Sequence, residues 1–164
     1  MNPFLNKKAS SEIADYCYLI AEIGINHNGS LQIAKDLIAQ SKAAGFDAVK
    51  FQKRTIKVVY SPDVLKSARK SPWGETTLDQ KEGLEFSLDD YAEIDRYCKA
   101  QNIAWSASPW DLDSVEFLKQ YNLPFVKVPS AMLTNEELLT KCIELFPKVI
   151  FSTGMSTEKE IEDA

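Results

Sequence analysis

Five short apolar runs in this chain each end in residues able to do chemistry. Residues 18–24 deliver Glu22 and then Asn26, His27, Asn28 and Gly29. Residues 46–51 lead to Lys50, with Gln52 just beyond, and 103–107 open onto Ser106, Ser108 and Pro109. Residues 124–128 carry Lys127 ahead of Ser130, and 149–152 end in Ser152, with Gly154 following. Two lysines with hydroxyls and a glycine turn nearby suit a phosphate or carboxylate: lysine supplies a compact charge, and hydroxyls and backbone N–H groups complete the oxygen coordination. A carboxylate among them, Glu22, can take or give a proton. Each residue alone has a plainer reading. Glu22 can be a structural partner of a lysine, a single lysine can snorkel, and Ser130 and Ser152 can cap turns. The recurrence of such groups at successive run ends is what favours a site.

His27 is the only histidine, which argues against a self-contained histidine metal centre. Orienting its own loop through a backbone hydrogen bond is at least as good a role for it as catalysis. Trp73, Trp105 and Trp110 read as packing residues.

Positioning these groups takes strands that alternate with helices. After the run 18–24, Ser30 can cap a helix carrying Ile33, Ala34, Leu37, Ile38 and Ser41 on one face and closed by Gly45. A long polar segment, 52–86, has the turn chemistry of an elaborated loop. Ser87 with Asp90 forms a capping box for a helix presenting Tyr91, Ile94 and Cys98. A helix over 111–120 follows the third strand. Thr134 with Glu137 caps the next helix, burying Leu138, Leu139, Cys142 and Ile143, and Thr157 with Glu160 starts one more. Five β-then-α units imply a parallel sheet. A doubly wound, flavodoxin-like sheet suits the length of 164 residues; a (β/α)8 barrel suits the pattern and needs three further units. In either, the strand ends converge on one face.

Composition narrows the class. The chain is 45% hydrophobic and 26% charged, which fits a globular protein and excludes collagen-like and low-complexity chains. A net charge of -5 gives no nucleic-acid footprint. Cys17, Cys98 and Cys142 have no CxxC spacing and lie among apolar neighbours, as reduced core cysteines do. The first sixteen residues have no apolar signal core and no later run reaches membrane length, so a cytoplasmic protein without a membrane partner is expected.

The run from Ile20 to Gly29 (IAEIGINHNG) and the segment AGFDAVKFQ from Ala44 to Gln52 resemble the opening of the sialic acid synthase family, which includes N-acetylneuraminate, legionaminic and pseudaminic acid synthases. Pro72-Trp73-Gly74, Leu84-Glu85-Phe86, Ala107-Ser108-Pro109-Trp110-Asp111, Val126-Lys127-Val128-Pro129-Ser130 and Phe151-Ser152-Thr153-Gly154-Met155-Ser156 follow in the family's order. The resemblance implies an α/β fold of the (β/α)8 TIM-barrel type, with about the first five units here. Residues 1–17 would be a lead-in and 18–164 the N-terminal portion of the barrel, without its remainder or an antifreeze-protein-like domain. It implies a transferase that condenses phosphoenolpyruvate with an N-acyl amino sugar, such as N-acetylmannosamine, into a nine-carbon ulosonic acid. By the same resemblance Lys50 and Lys127 hold the phosphate and carboxylate of phosphoenolpyruvate, with Ser130 and Ser152 as hydroxyl partners. Gln52 contacts the sugar, and Glu22 is the acid/base residue. The family uses a divalent cation, manganese or magnesium, on histidines that lie beyond residue 164, so no metal ligand is expected in this segment. It forms homodimers. One departure is local: the family's Gly- and Asp-containing turn after the fourth-strand serine reads Ala131-Met132-Leu133-Thr134-Asn135 here.

The 164-residue chain alone is expected to be inactive. Three rivals stand beside this reading. Another phosphoenolpyruvate-using barrel would take phosphorylated aldoses. An aldolase-type enzyme would form a Schiff base on Lys50 or Lys127, which borohydride would trap. A noncatalytic half-barrel would serve only in assembly.

Overall fold

The computed structural model describes residues 17–164; the lead-in expected over 1–17 lies outside them except for Cys17. Strand β1 (Ile20–Gly24) pairs in parallel with β2 (Ala48–Lys53), and β2 pairs in parallel with β5 (Ala104–Pro109). Strand β6 (Val126–Val128) runs beside β5 and pairs in parallel with β7 (Val149–Phe151). Between β5 and β6 the Ser106 hydroxyl donates to the Phe125 carbonyl at 2.5 Å. Neighbours therefore follow chain order.

That order decides between the two architectures. A flavodoxin-like sheet places its first strand inside, between the second and third. Here β2 lies between β1 and β5. The faces agree. Val49, Phe51, Trp105, Ala107, Val126 and Val128 all enter one apolar core with residues of the helices. The alternate positions, Glu22, Lys50, Gln52, Ser106, Ser108 and Lys127, are polar. A doubly wound sheet has helices on both faces and strands that are apolar throughout; this sheet has one apolar face and one polar face. The doubly wound alternative is therefore corrected to the barrel type.

The crossover helices are fixed at both ends by local chemistry. Ser30 accepts from Ile33 N–H to start α1 (Leu31–Ala43), and Ser87 and Asp90 form the expected capping box of α5 (Leu88–Ala100). The two helices stop alike. Gly45 and Asn102 adopt left-handed backbone, and the next residues, Phe46 and Ile103, donate back to the carbonyls of Ser41 and Cys98, both at 3.1 Å. Lys42 Nζ donates to the Asn102 carbonyl at 2.6 Å, tying the two stops together. Asp111 caps α6 (Leu112–Lys119), and Thr157 with Glu160 boxes α8 (Glu158–Asp163).

Several expectations are corrected. The segment 52–86 is structured: α2 (Ile56–Val59), α3 (Pro62–Lys66), an antiparallel hairpin of β3 (Ala68–Ser71) and β4 (Gly74–Thr76), and α4 (Thr77–Leu84). These pieces are too short for periodicity to reveal, although the Thr76–Asp79 capping box was present in the sequence. The cap of α7 (Glu136–Leu145) is Asn135, not Thr134: a 3₁₀ turn at Ser130–Met132 advances the chain, and the Asn135 side chain accepts from Leu138 N–H at 3.0 Å. Ile143 faces solvent at 59% exposure, while Leu138, Leu139 and Cys142 are buried as expected. Ile33 on α1 is exposed, and Ala34 and Ile38 carry that helix's buried stripe. Cys17 is exposed, whereas Cys98 and Cys142 are buried, and burial pushes both of those thiols up to about 12. No helix among the described residues is long and apolar enough to cross a membrane.

Candidate active site

The polar face of the sheet is organised in levels that rise toward the carboxyl ends of the strands. At the lowest level the register sets Glu22 opposite Lys50 and Lys50 opposite Ser106. A β-bulge between Glu22 and Gly24 interrupts the β1–β2 ladder immediately beyond this level. Bulges of this kind re-aim side chains near sites. Lys50 Nζ lies 2.6 Å from Glu22 Oε2, and Lys127 Nζ, from β6, lies 3.6 Å from Oε1 of the same carboxylate. Lys50 is 3% exposed, while the Glu22 side chain is half exposed. Burial lowers the Lys50 pKa, its pairing with Glu22 opposes that shift, and the charges of Lys127 and Arg54 add to it. The result is one carboxylate bridging two ammonium groups drawn from strands far apart in sequence.

One level up, Gln52 pairs in register with Ser108. The Tyr91 hydroxyl donates to the Gln52 backbone carbonyl at 2.7 Å, which holds the strand end against α5. Ser108 Oγ is buried with no hydrogen-bond partner among the described residues. Above this level the Arg54 guanidinium stacks on the Trp110 indole, 4.1 Å from the ring centroid, and donates to Gln52 Oε1. Ser130 opens the turn after β6, and Ser152 follows β7, with its N–H donating to the Val128 carbonyl at 3.1 Å. Both are partly buried at the same end of the sheet.

Glu22, Lys50 and Lys127 are thus brought into direct contact, with Gln52 on the next level. Ser130 and Ser152 stand at the neighbouring strand ends. The sequence reading gave Ser108 no role, took Trp110 for packing and passed over Arg54. Ser108 and Trp110 continue the alternation of β5, and Arg54 continues that of β2, so the period-two pattern was the available signal.

The opposite side of the β2 end is a separate ion pair. Lys53 Nζ meets Glu85 at 2.6 Å and lies over the Phe117 ring at 4.8 Å. Burial raises the Glu85 pKa, and the Lys53 charge opposes that rise. Glu85 also accepts from Arg54 N–H at 3.2 Å, and Asp111 accepts from Thr55 N–H at 2.7 Å.

His27 takes the loop-orienting role. It is 2% exposed, stacks on Phe86 with centroids 4.0 Å apart, and accepts from Gly29 N–H through Nδ1 at 3.1 Å. Burial brings its pKa down to about 4, so the ring is neutral. The described residues do not fit a divalent metal. Both Glu22 oxygens face lysine ammonium groups, His27 is turned into an aromatic cluster, and no group of three or more His, Cys, Asp or Glu could hold an ion.

A family model described as the NeuB family matches residues 37–164. The chain is 39% identical over 160 residues to the N-acetylneuraminate-9-phosphate synthase of Drosophila melanogaster, covering 96% of this chain and 43% of that protein. It is also 39% identical over 153 residues to the N,N'-diacetyllegionaminic acid synthase of Campylobacter jejuni, covering 89% of this chain and 45% of that one. Among solved structures, the N-acetylneuraminic acid synthetase of Leptospira borgpetersenii, in complex with citrate, aligns with a TM-score of 0.76 at 24% identity. That alignment covers 89% of this chain and 47% of the other. The spore coat polysaccharide biosynthesis protein spsE of Bacillus subtilis aligns with a TM-score of 0.67 at 26% identity, covering 89% and 38%. The chain spans less than half the length of these proteins. Its fold is α/β of the (β/α)8 TIM-barrel type, with about five βα units among the described residues.

Proposed function

We propose, from the premise that this chain belongs to the NeuB family, that its residues 18–164 form the N-terminal portion of a synthase barrel. The intact protein joins phosphoenolpyruvate to an N-acyl amino sugar of the N-acetylmannosamine type, giving a nine-carbon ulosonic acid and phosphate. The observation that carries this reading is the Glu22 carboxylate held between Lys50 and Lys127 at the strand ends. Two ammonium groups suit a substrate bearing both a phosphate and a carboxylate, and a lone half-exposed carboxylate between them suits proton transfer at the carbon that links the two.

In the proposed reaction C3 of phosphoenolpyruvate attacks the sugar aldehyde carbon, the C=O π pair moves onto the aldehyde oxygen, which takes up a proton from water, and C2 becomes electron-poor. Water adds to C2 and loses a proton to Glu22, and the C2–O bond to phosphate then breaks with its electron pair leaving on phosphate. Lys50 and Lys127 bind the phosphate and carboxylate and stabilise the departing charge. Ser130 and Ser152 supply hydroxyl donors to the same oxygens, joined by Ser108, whose buried hydroxyl has no partner among the described residues. Gln52 contacts the sugar. The divalent cation of such enzymes would polarise the aldehyde; the described residues do not fit it. A homodimeric, cytoplasmic enzyme of carbohydrate biosynthesis is the setting proposed.

Substitution in the full-length protein separates the roles. Glu22→Gln leaves two lysines without their counter-charge, so the KM for phosphoenolpyruvate does not rise while kcat falls by about 100-fold or more. Lys50→Met raises that KM and lowers kcat/KM by about 100-fold. Steady-state kinetics with phosphoenolpyruvate and N-acetylmannosamine or its 6-phosphate provide the check. A Glu22→Gln enzyme with unchanged kcat removes the acid/base assignment.

A further inference from the structure

We infer that Arg54 is a positioning residue that locks the Gln52 side-chain amide with its NH₂ end toward the substrate. Gln52 then recognises the acceptor sugar only as a hydrogen-bond donor, to an acceptor oxygen of that sugar. This rests on the proposed role of Gln52 as a sugar contact.

The argument starts from donor and acceptor inventory. A glutamine amide has one accepting and one donating end, and which end faces a neighbour follows from that neighbour's chemistry. A guanidinium has donors only, so the amide atom beside Arg54 is Oε1, as the contact between them places it. The other end, Nε2, lies over Gly24, where even a Cβ atom would come within 3.3 Å of it. The amide is thus held at its oxygen end, with Nε2 over the side-chain-free Gly24.

Arg54 is itself fixed well enough to hold it. Its guanidinium stacks on Trp110 at 4.1 Å. Its backbone N–H is tied to Glu85, and that of the following residue, Thr55, to Asp111. Lys53, the neighbouring cation, is already committed to Glu85 on the other side of the strand. Arg54 therefore stands above the Lys50–Lys127 level with Gln52 as its side-chain hydrogen-bond partner. An arginine held by stacking and pinned through its backbone loses little freedom in making that bond.

The test uses the full-length protein with three single variants, Arg54→Met, Arg54→Lys and Gln52→Ala, and the double variant Arg54→Met/Gln52→Ala. Arg54→Met keeps an unbranched side chain against Trp110 and removes the donors. It is expected to raise the KM for the acceptor, N-acetylmannosamine or its 6-phosphate, about 10-fold, the size of one lost charged hydrogen bond. The KM for phosphoenolpyruvate stays within about twofold. Arg54→Lys, which can still donate to Oε1, recovers part of the loss. In the Gln52→Ala background the Arg54→Met change adds nothing, because the amide it orients is gone.

A read-out without turnover is the ¹⁵N-labelled side-chain NH₂ signal of Gln52, assigned by its disappearance in Gln52→Ala. It is expected to shift in Arg54→Met. Additive losses in the double variant, equal rises in both KM values, or an unmoved Gln52 signal would each overturn the inference while leaving the sugar-contact role standing. An acceptor KM unchanged in Gln52→Ala would remove that role, and the inference with it.

Discussion

At the strand ends one carboxylate, Glu22, is shared by two ammonium groups, those of Lys50 and Lys127. Alone, a buried lysine loses its charge more easily, because burial disfavours the charged form. Glu22 counters this for Lys50, so the pair can present charge to an anion from a nearly closed position. His27 illustrates the opposite outcome. Burial outweighs its hydrogen bond with the Gly24 backbone and the charge of Asp90, and it stays neutral in an aromatic cluster. Its folded pKa of about 4 lies below the ordinary histidine value of 6.5, so between these values the unfolded chain binds more protons than the folded one. Stability from this residue is therefore complete above pH 6.5 and is lost as the pH falls toward 4. The loss is on the order of 3 kcal/mol. Urea denaturation at pH 7 and pH 4.5, for the native protein and for His27→Gln, reads it directly. An equal pH dependence in the two proteins would count against it.

Elements hold these residues through their ends more than through their middles. Helices α1 and α5 finish with the same pair of backward hydrogen bonds, one using Gly45 and the other Asn102 in left-handed backbone. Each stop turns the chain into a strand, β2 or β5, that carries site residues. A Cβ placed on Gly45 meets nothing within 4 Å, so the cost of Gly45→Ala is the backbone conformation alone, about 1 kcal/mol. Asn102→Gly removes the corresponding strain and stabilises by a few tenths of a kcal/mol. Chemical denaturation of both variants gives the signs; a stabilising Gly45→Ala would show that this turn is not the constraint. These caps were legible because each is a short-range pattern of side chain and backbone. The pieces of 52–86 were not, since helices of four or five residues owe their existence to packing, as with buried Ile56 and Leu65. The shift from Thr134 to Asn135 has the same origin: both residues can cap, and the preceding 3₁₀ turn chose between them.

At the scale of the molecule the sheet has two free edges among the described residues, along β1 and β7. Exposed Leu19, Ile25 and Phe151 lie on or beside them. Unpaired edges with apolar neighbours seek partners. The 164-residue chain on its own is therefore expected to self-associate and to show no condensation activity. Sedimentation velocity and a phosphate-release assay test the two parts, and a stable monomer at micromolar concentration would overturn the first.

The β/α units, their caps and the residues at the strand ends were all present in linear order, because each rests on contacts within a few residues. The choice of barrel over doubly wound sheet was also available in the alternation of AVKFQK, AWSAS and VKV, whose polar positions leave one face without a helix to cover it. What the linear order could not supply is which groups meet. Glu22 lies 28 positions from Lys50 and 105 from Lys127 in the chain, and only strand register and the curve of the sheet set one carboxylate between both. The same holds for Arg54, Gln52 and Trp110: strand pairing brings β2 beside β5, and a hydrogen bond of fixed polarity then decides which end of the Gln52 amide meets Arg54.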